Sequence, residues 1–269
     1  MKKLIVLLLT ALILGVCAGC GASDDKTITV IATPVPHEVI LEKAKEILAE
    51  DGWNLEIIET TDYYTPNEAV NGGDADANFF QHVPFFDNQI AEHGYELTNV
   101  CGVHIEPMGF YSSSINSVSQ LKSGDTIVIS NSVADHGRVL SILAKTGVIK
   151  LKDGVDAITA TVDDIVENPL NLTFDYCNPE VAPDVYKNNQ GALVAINGNY
   201  AIGAGLNPVK DSVILEQADA TNPYVNILVC RTADKDSPKI QALKEVLTSD
   251  TIKQFISDTY NDGSVIPAE

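Results

Sequence analysis

From Thr27 to Thr60 the chain passes from a short β-branched run, TITVIA, through an amphipathic stretch to a second short run, and this order leaves few folds open. Ile40, Leu41, Ala44, Ile47 and Leu48 fall at helical spacing with charges between them, and Gly52 stops the pattern. Strand, helix, strand in that order points to a parallel sheet with crossover helices, so the chain is expected to be α/β. The two prolines of Thr33-Pro34-Val35-Pro36-His37 hold the first connection as a rigid loop.

The alternation continues. Further strands are expected at 74–80, 97–104, 125–130, 172–176, 192–196 and 224–230, and further helices near 85–93, from an N-cap at Asp135 through Lys145, at 161–167, 239–248 and 251–260. Gly102 to Ser112, GVHIEPMGFYS, lies between two segments of similar build and reads as a crossover between two α/β lobes. The expected division places residues 27–110 with 225–269 in one lobe and 111–224 in the other. With 269 residues, 45% of them hydrophobic, the chain can bury one large or two modest cores. Open α/β sheets bind ligands at the carboxyl ends of their strands, so a cleft between lobes is expected to carry the function.

Strand ends deliver Tyr63, Phe80, His82 and His104 to one region if the sheet is wound in this way. At Asp135 the free N–H groups of a helix start suit an anion. Arg138 lies one turn inside, and its planar fork matches a carboxylate in two parallel hydrogen bonds; an ordinary surface arginine is the alternative. Asn197 closes the strand 192–196. Asn226 sits among apolar residues, where an unpaired amide costs stability.

The amino terminus has the form of a secretory signal: Lys2 and Lys3, an apolar run from Leu4 to Gly15, then Cys17-Ala18-Gly19-Cys20. Small residues before a cysteine resemble a lipoprotein signal, which makes residues 1–19 the leader, Cys20 the lipidated first residue and 20–26 a polar tether. A soluble secreted protein cut near Ala22 is the alternative. A diacylglyceryl-type anchor carries at least two chains, enough for stable attachment. Loss of the leader removes Lys2 and Lys3 from the 17 basic residues and leaves 15 against 37 acidic ones, a formal charge of −22. Such a surface repels nucleic acid and anionic headgroups. Cys101, Cys177 and Cys230 are too widely spaced for a disulfide framework and read as inert thiols.

Seven motifs, ATPVPHEVILE, TDYYTPN, ANFFQHVPFF, GVHIEPMGFYS, LKDG with TVDDIVENP, INGNYAIGAGLNPVKD and NPYVNILVCR, resemble in order and spacing the NlpA/MetQ lipoproteins, the substrate-binding components of methionine ABC importers. The resemblance covers essentially the whole mature chain. It implies a two-lobed, type II periplasmic-binding-protein fold that closes on a free amino acid, most simply methionine, and hands it to a permease and ATPase on the extracytoplasmic face of the membrane, with no cofactor. It also implies a side-chain pocket of Tyr63, Phe80, His82 and His104, with Arg138, Asn197 and Asn226 reading the ligand backbone. The chain departs from the family at Asn131 to Arg138, where an asparagine near the ligand has become Asp135 and a proline is gone. Asp135 is expected either to pair with Arg138 or to meet the ligand ammonium. The segment Cys177 to Gln190 also lacks the family pattern.

Two other classes compete. His37, His82 and His104, with a carboxylate such as Glu106, offer a ligand set for a zinc-import protein, although no histidine-rich loop is present. An enzyme lacks support: no nucleophile elbow, no serine or cysteine partner for the histidines and no glycine-rich phosphate loop appear.

Overall fold

The computed structural model describes residues 26–219 and 222–269, so the leader and Cys20 lie outside the described residues. The chain runs β1 (Thr27–Ala32), α1 (Val39–Glu50), β2 (Asn54–Glu59), α2 (Thr65–Gly72), β3 (Ala77–His82), α3 (Val83–His93) and β4 (Leu97–Ile105). It then crosses to β5 (Gly109–Tyr111), β6 (Thr126–Ser130) and α4 (Val133–Lys145). A small hairpin of β7 (Lys150–Leu151) and β8 (Ile165–Glu167) precedes β9 (Thr173–Cys177), α5 (Ala182–Lys187), β10 (Leu193–Ile196), α6 (Gly198–Gly203), α7 (Pro208–Asp211) and β11 (Ile214–Leu215). β12 (Val225–Arg231), α8 (Pro238–Leu247), α9 (Asp250–Thr259) and β13 (Ile266–Pro267) complete the chain.

Two sheets result. The first has the order β13-β4-β12-β3-β1-β2, and the second β11-β5-β10-β6-β9. β1 pairs in parallel with β2 and β3, while β12 runs antiparallel between β3 and β4. In the second sheet β6 is parallel to β9 and β10, and β5 is antiparallel to β10. The central strands of each sheet are buried on both faces, which is why they read as continuous apolar runs rather than alternating ones, while the edge strands β2 and β9 are largely exposed. On β12, Leu228 and Cys230 enter one core with Ile28, Leu41 and Ile240, while Ile227 and Val229 enter the opposite core with Val70 and Phe86. Ile127 and Val128 divide the second sheet in the same way. This is the expected two-lobed periplasmic-binding-like α/β fold.

Four local expectations are corrected. Residues 65–72, where no helix was expected, form α2, because the Asp62 carboxylate accepts from the backbone N–H groups of Tyr64 and Thr65 at 2.8 Å and Pro66 pre-sets the first turn. The helix expected at 161–167 is one tight turn at Val162–Asp164, after which the β-branched pair Ile165-Val166 starts β8. Helix α4 starts at Val133, so Asp135 lies inside its first turn and Ser132 holds the cap position. The first crossing comes earlier than the expected boundary after residue 110, because Gly109 and Phe110 already pair with β10 and β11 in the second sheet, and the return occupies the connection from β11 to β12. The described cysteines are free, and burial pushes the Cys101 thiol up to about 12.

Gly137 fixes how α4 sits. A β-carbon there would come within 2.3 Å of the Ile158 carbonyl oxygen and 2.5 Å of that of Ala157, both rigid backbone atoms. Gly137→Ala is therefore expected to lower the unfolding free energy in urea by about 1–3 kcal/mol through overpacking, despite alanine's better helix propensity.

Candidate functional site

The ends of strands from both sheets converge on one partly open cavity with about 20 Å3 of free space, room for roughly one water molecule. The first sheet brings Phe80 and His82 at the end of β3, Asn226 at the start of β12, and Glu106 just after β4; Tyr63 comes from the loop after β2. From the second lobe come Asp135 and Arg138 on α4, with Asn197, Gly198 and Asn199 following β10. Gly198 has no room for a side chain, since a β-carbon would lie 2.7 Å from the Glu106 carboxylate.

One half of the cavity is aromatic. The Tyr63 ring stands 5.9 Å from Phe80 and 5.7 Å from Phe85, centroid to centroid, and 4.9 Å from Tyr200 of the other lobe. The Tyr63 hydroxyl donates to Asn199 Oδ1 at 2.5 Å across the lobes, and burial raises its phenol well above the usual range. Beneath this half, Asn67, Asn78 and Gln81 bond to one another at 2.7 to 2.9 Å and tie α2 to β3.

The other half is polar and fully paired at its back. Arg138 Nε donates to Glu216 at 3.1 and 3.2 Å, and Nη2 donates to Glu216 at 2.5 Å and to the Glu106 carbonyl at 2.7 Å. The Tyr224 ring lies 4.3 Å from the guanidinium. Burial pushes the Glu216 carboxyl up, but the Arg138 charge and hydrogen bonds outweigh it and hold the group below the ordinary range. Asp135 behaves alike: burial raises it, and His82, Arg138 and Asn197 together bring it down. The His82 ring is taken at both nitrogens. Nδ1 accepts from the Phe85 N–H at 3.1 Å, so Nε2 carries the proton toward Asp135 Oδ1 at 3.2 Å.

The structure thus brings Tyr63, Phe80, His82, Asp135, Arg138, Asn197 and Asn226 around one space. His104 does not reach it; fully buried, it lies one layer back with Nε2 2.8 Å from Glu106 Oε1. Asp135 pairs with His82 and Asn197, whose Nδ2 is 3.3 Å away, and leaves Arg138 to Glu216. The three histidines do not form one metal set: His37, His104 and Glu106 cluster within 4.8 Å, but His82 is committed to Asp135, so the zinc reading is not supported. Glu216 and Asn199 carry much of the site and went unread, and Glu106, which also lines it, was read only as a metal ligand. Glu106 and Asn199 adjoin motifs that end at strand termini, whereas nothing local marks Glu216, 78 residues from its arginine.

Burial lowers His37 to about 4 and His104 to about 3. A base with a depressed folded value contributes full stability above its unfolded value, near 6.5, and loses it as pH falls toward the folded value, because the unfolded chain takes the proton first. From pH 7.5 to 5.5 these two rings are expected to cost roughly 2–3 kcal/mol of unfolding free energy in urea. Their ring NMR resonances should stay fixed over the same range.

Residues 28–269 match the family model of the NlpA lipoproteins. A methionine-binding lipoprotein, MetQ, of Bacillus subtilis strain 168 is 42% identical over 273 residues, spanning 99% of this chain and 99% of that protein. A solved lipoprotein structure from the same organism superposes with a TM-score of 0.89 at 42% identity, covering 92% of this chain and 100% of that one. A Burkholderia cenocepacia nutrient-binding protein, solved bound to methionine, gives a TM-score of 0.83 at 34% identity over 90% of this chain and 100% of that one. With its two-lobed fold and interlobe cavity, the chain belongs to the NlpA lipoprotein family.

Proposed function

We propose that this chain is the substrate-binding lipoprotein of an ABC importer, which closes its two lobes on free methionine and delivers it to a membrane permease and its ATPase. The observation that carries the reading is the composition of one cavity: three aromatic rings on one side and Arg138, Asn197 and Asn226 on the other, contributed by both lobes. Rings suit a thioether, with sulfur–ring contacts adding about 0.3–1.5 kcal/mol each. Burial of the side chain adds about 1.5–3 kcal/mol. With charge-assisted bonds to the zwitterion, the gross energy suffices for micromolar or tighter binding after association costs. The relatives' methionine ligands and names support the same choice.

Residues 27–110 with 225–269, and 111–224, act as the two moving bodies. The hinges lie at the edges of these bodies, at 106–108 ahead of β5, which already pairs with β10, and in the return just ahead of β12, and ligand contacts made only in the closed state shift the population toward it. Lipid on Cys20 holds the protein at the extracytoplasmic face of the membrane. Among the described residues no helix is long and apolar enough to cross a bilayer.

Calorimetry on protein stripped by unfolding and refolding is expected to give a micromolar or lower Kd for methionine. Arg138→Ala should weaken it by about 2 kcal/mol or more. Because that change strands the Glu216 charge, the pair Arg138→Met with Glu216→Leu serves as a control: stability should recover while binding does not. Retained affinity in the double variant removes Arg138 from the ligand.

A further inference from the structure

Three polar ends at the cavity have no protein partner among the described residues: Arg138 Nη1, Asn226 Nδ2 and Asn197 Oδ1. Two are donors and one is an acceptor. Whether a carboxamide shows nitrogen or oxygen to a ligand is set by what holds its other end, and each asparagine here is held from behind.

Asn226 Oδ1 lies 3.1 Å from His37 Nε2. The opposite ring nitrogen, Nδ1, lies 2.7 Å from Thr33 Oγ1. Nε2 also faces Glu106 Oε1 at 3.5 Å, so two oxygens converge on it. A lone pair there would oppose both, whereas a proton serves both; the neutral ring therefore carries its hydrogen on Nε2, and Thr33 donates to Nδ1. The ring cannot turn away, because it is 1% exposed and packed edge-on to Phe79 at 4.6 Å and His104 at 4.8 Å. On the far side, ionised Asp135 is an acceptor only, so it takes Asn197 Nδ2 and turns Oδ1 outward.

We propose that His37, anchored by Thr33, is a positioning residue that fixes the Asn226 carboxamide with its N–H groups toward the ligand carboxylate, while Asp135 turns Asn197 the opposite way toward the ammonium. This rests on the amino-acid-binding reading above and adds to it the direction in which the zwitterion lies. His37 touches no ligand itself. Its effect passes through Asn226, so it sets which functional group is accepted, not merely how tightly.

The test compares methionine with L-methioninol, whose hydroxyl both donates and accepts and so tolerates either amide orientation. His37→Leu should weaken methionine at least tenfold and methioninol less than threefold, and Thr33→Val, nearly isosteric, should shift the same ratio in the same direction by a smaller factor. A change under threefold for methionine in folded His37→Leu protein, or an equal loss for both ligands, overturns the proposal. If His37→Leu does not fold, the Thr33→Val ratio and the wild-type ring decide. Nitrogen NMR is expected to show the Nε2–H tautomer at His37, and the Nδ1–H tautomer overturns it. Wild-type protein that binds neither compound overturns the functional reading instead, and this inference with it.

Discussion

A guanidinium removed from water must be met by a carboxylate, since the penalty for burying either ion alone is several kcal/mol. Arg138 is 4% exposed, and the carboxylate that meets it is Glu216, from the connection between β11 and β12. Glu216 also accepts from the backbone N–H of Met108, at 3.0 Å, in the connection between β4 and β5. Arg138 Nη2 reaches the Glu106 carbonyl in that same connection. One ion pair thus fastens α4 to both chain segments that pass between the lobes. The fork of the arginine, read from sequence as a ligand clamp, is spent on the protein; what remains for a ligand is the Nη1 end, held in a fixed direction. That is preorganisation, which reduces the ordering cost of binding.

The fold was legible because the central strands of both sheets are buried on both faces, and TITVIA, TIVIS and LVAI state that directly. The strand-end rule placed Phe80, His82 and Asn197, since these residues terminate or follow β3 and β10. Asn226 was marked by a different signal, an amide in an otherwise apolar strand, and the structure supplies the partner that such an amide needs. What stayed hidden depends on distance in the chain. Glu216 is one acid among 37, and only the approach of α4 distinguishes it. His104 was misplaced for a geometric reason: β4 ends beneath the sheet-to-sheet crossing, so the cavity wall at that point is Glu106, with both buried histidines behind it.

The two halves of the site are held rigid by different means. The aromatic half stands on the buried Asn67–Asn78–Gln81 amides, whose mutual bonds leave α2 and β3 little freedom to shift relative to each other. The polar half relies on charge pairs. Directional hydrogen bonds cross between the lobes, among them Tyr63 to Asn199, His82 to Asp135, the Tyr200 hydroxyl to the Thr61 carbonyl at 2.8 Å and Asn207 Nδ2 to Asp262 at 2.6 Å. Each such bond exists only when the lobes meet, so the closed form is stabilised by contacts that opening exchanges for water.

Charge balance then limits what the closed site accepts. The Arg138 cation is already paired with Glu216, whereas the Asp135 carboxylate is stabilised only by hydrogen bonds from the neutral His82 and Asn197, so the site has no unpaired positive charge to offer and its one unmatched charge, on Asp135, lies on the ammonium side. A zwitterion brings its own opposite pair and divides it between Arg138 with Asn226 on one side and Asn197 on the other. A ligand with a further ionised side chain would have to lodge that charge among Tyr63, Phe80 and Phe85, where nothing offsets it. An isolated buried charge costs far more than the few kcal/mol that those rings return. Selection for a neutral side chain therefore follows from the pairing of charges at the back of the cavity as much as from the rings at its front.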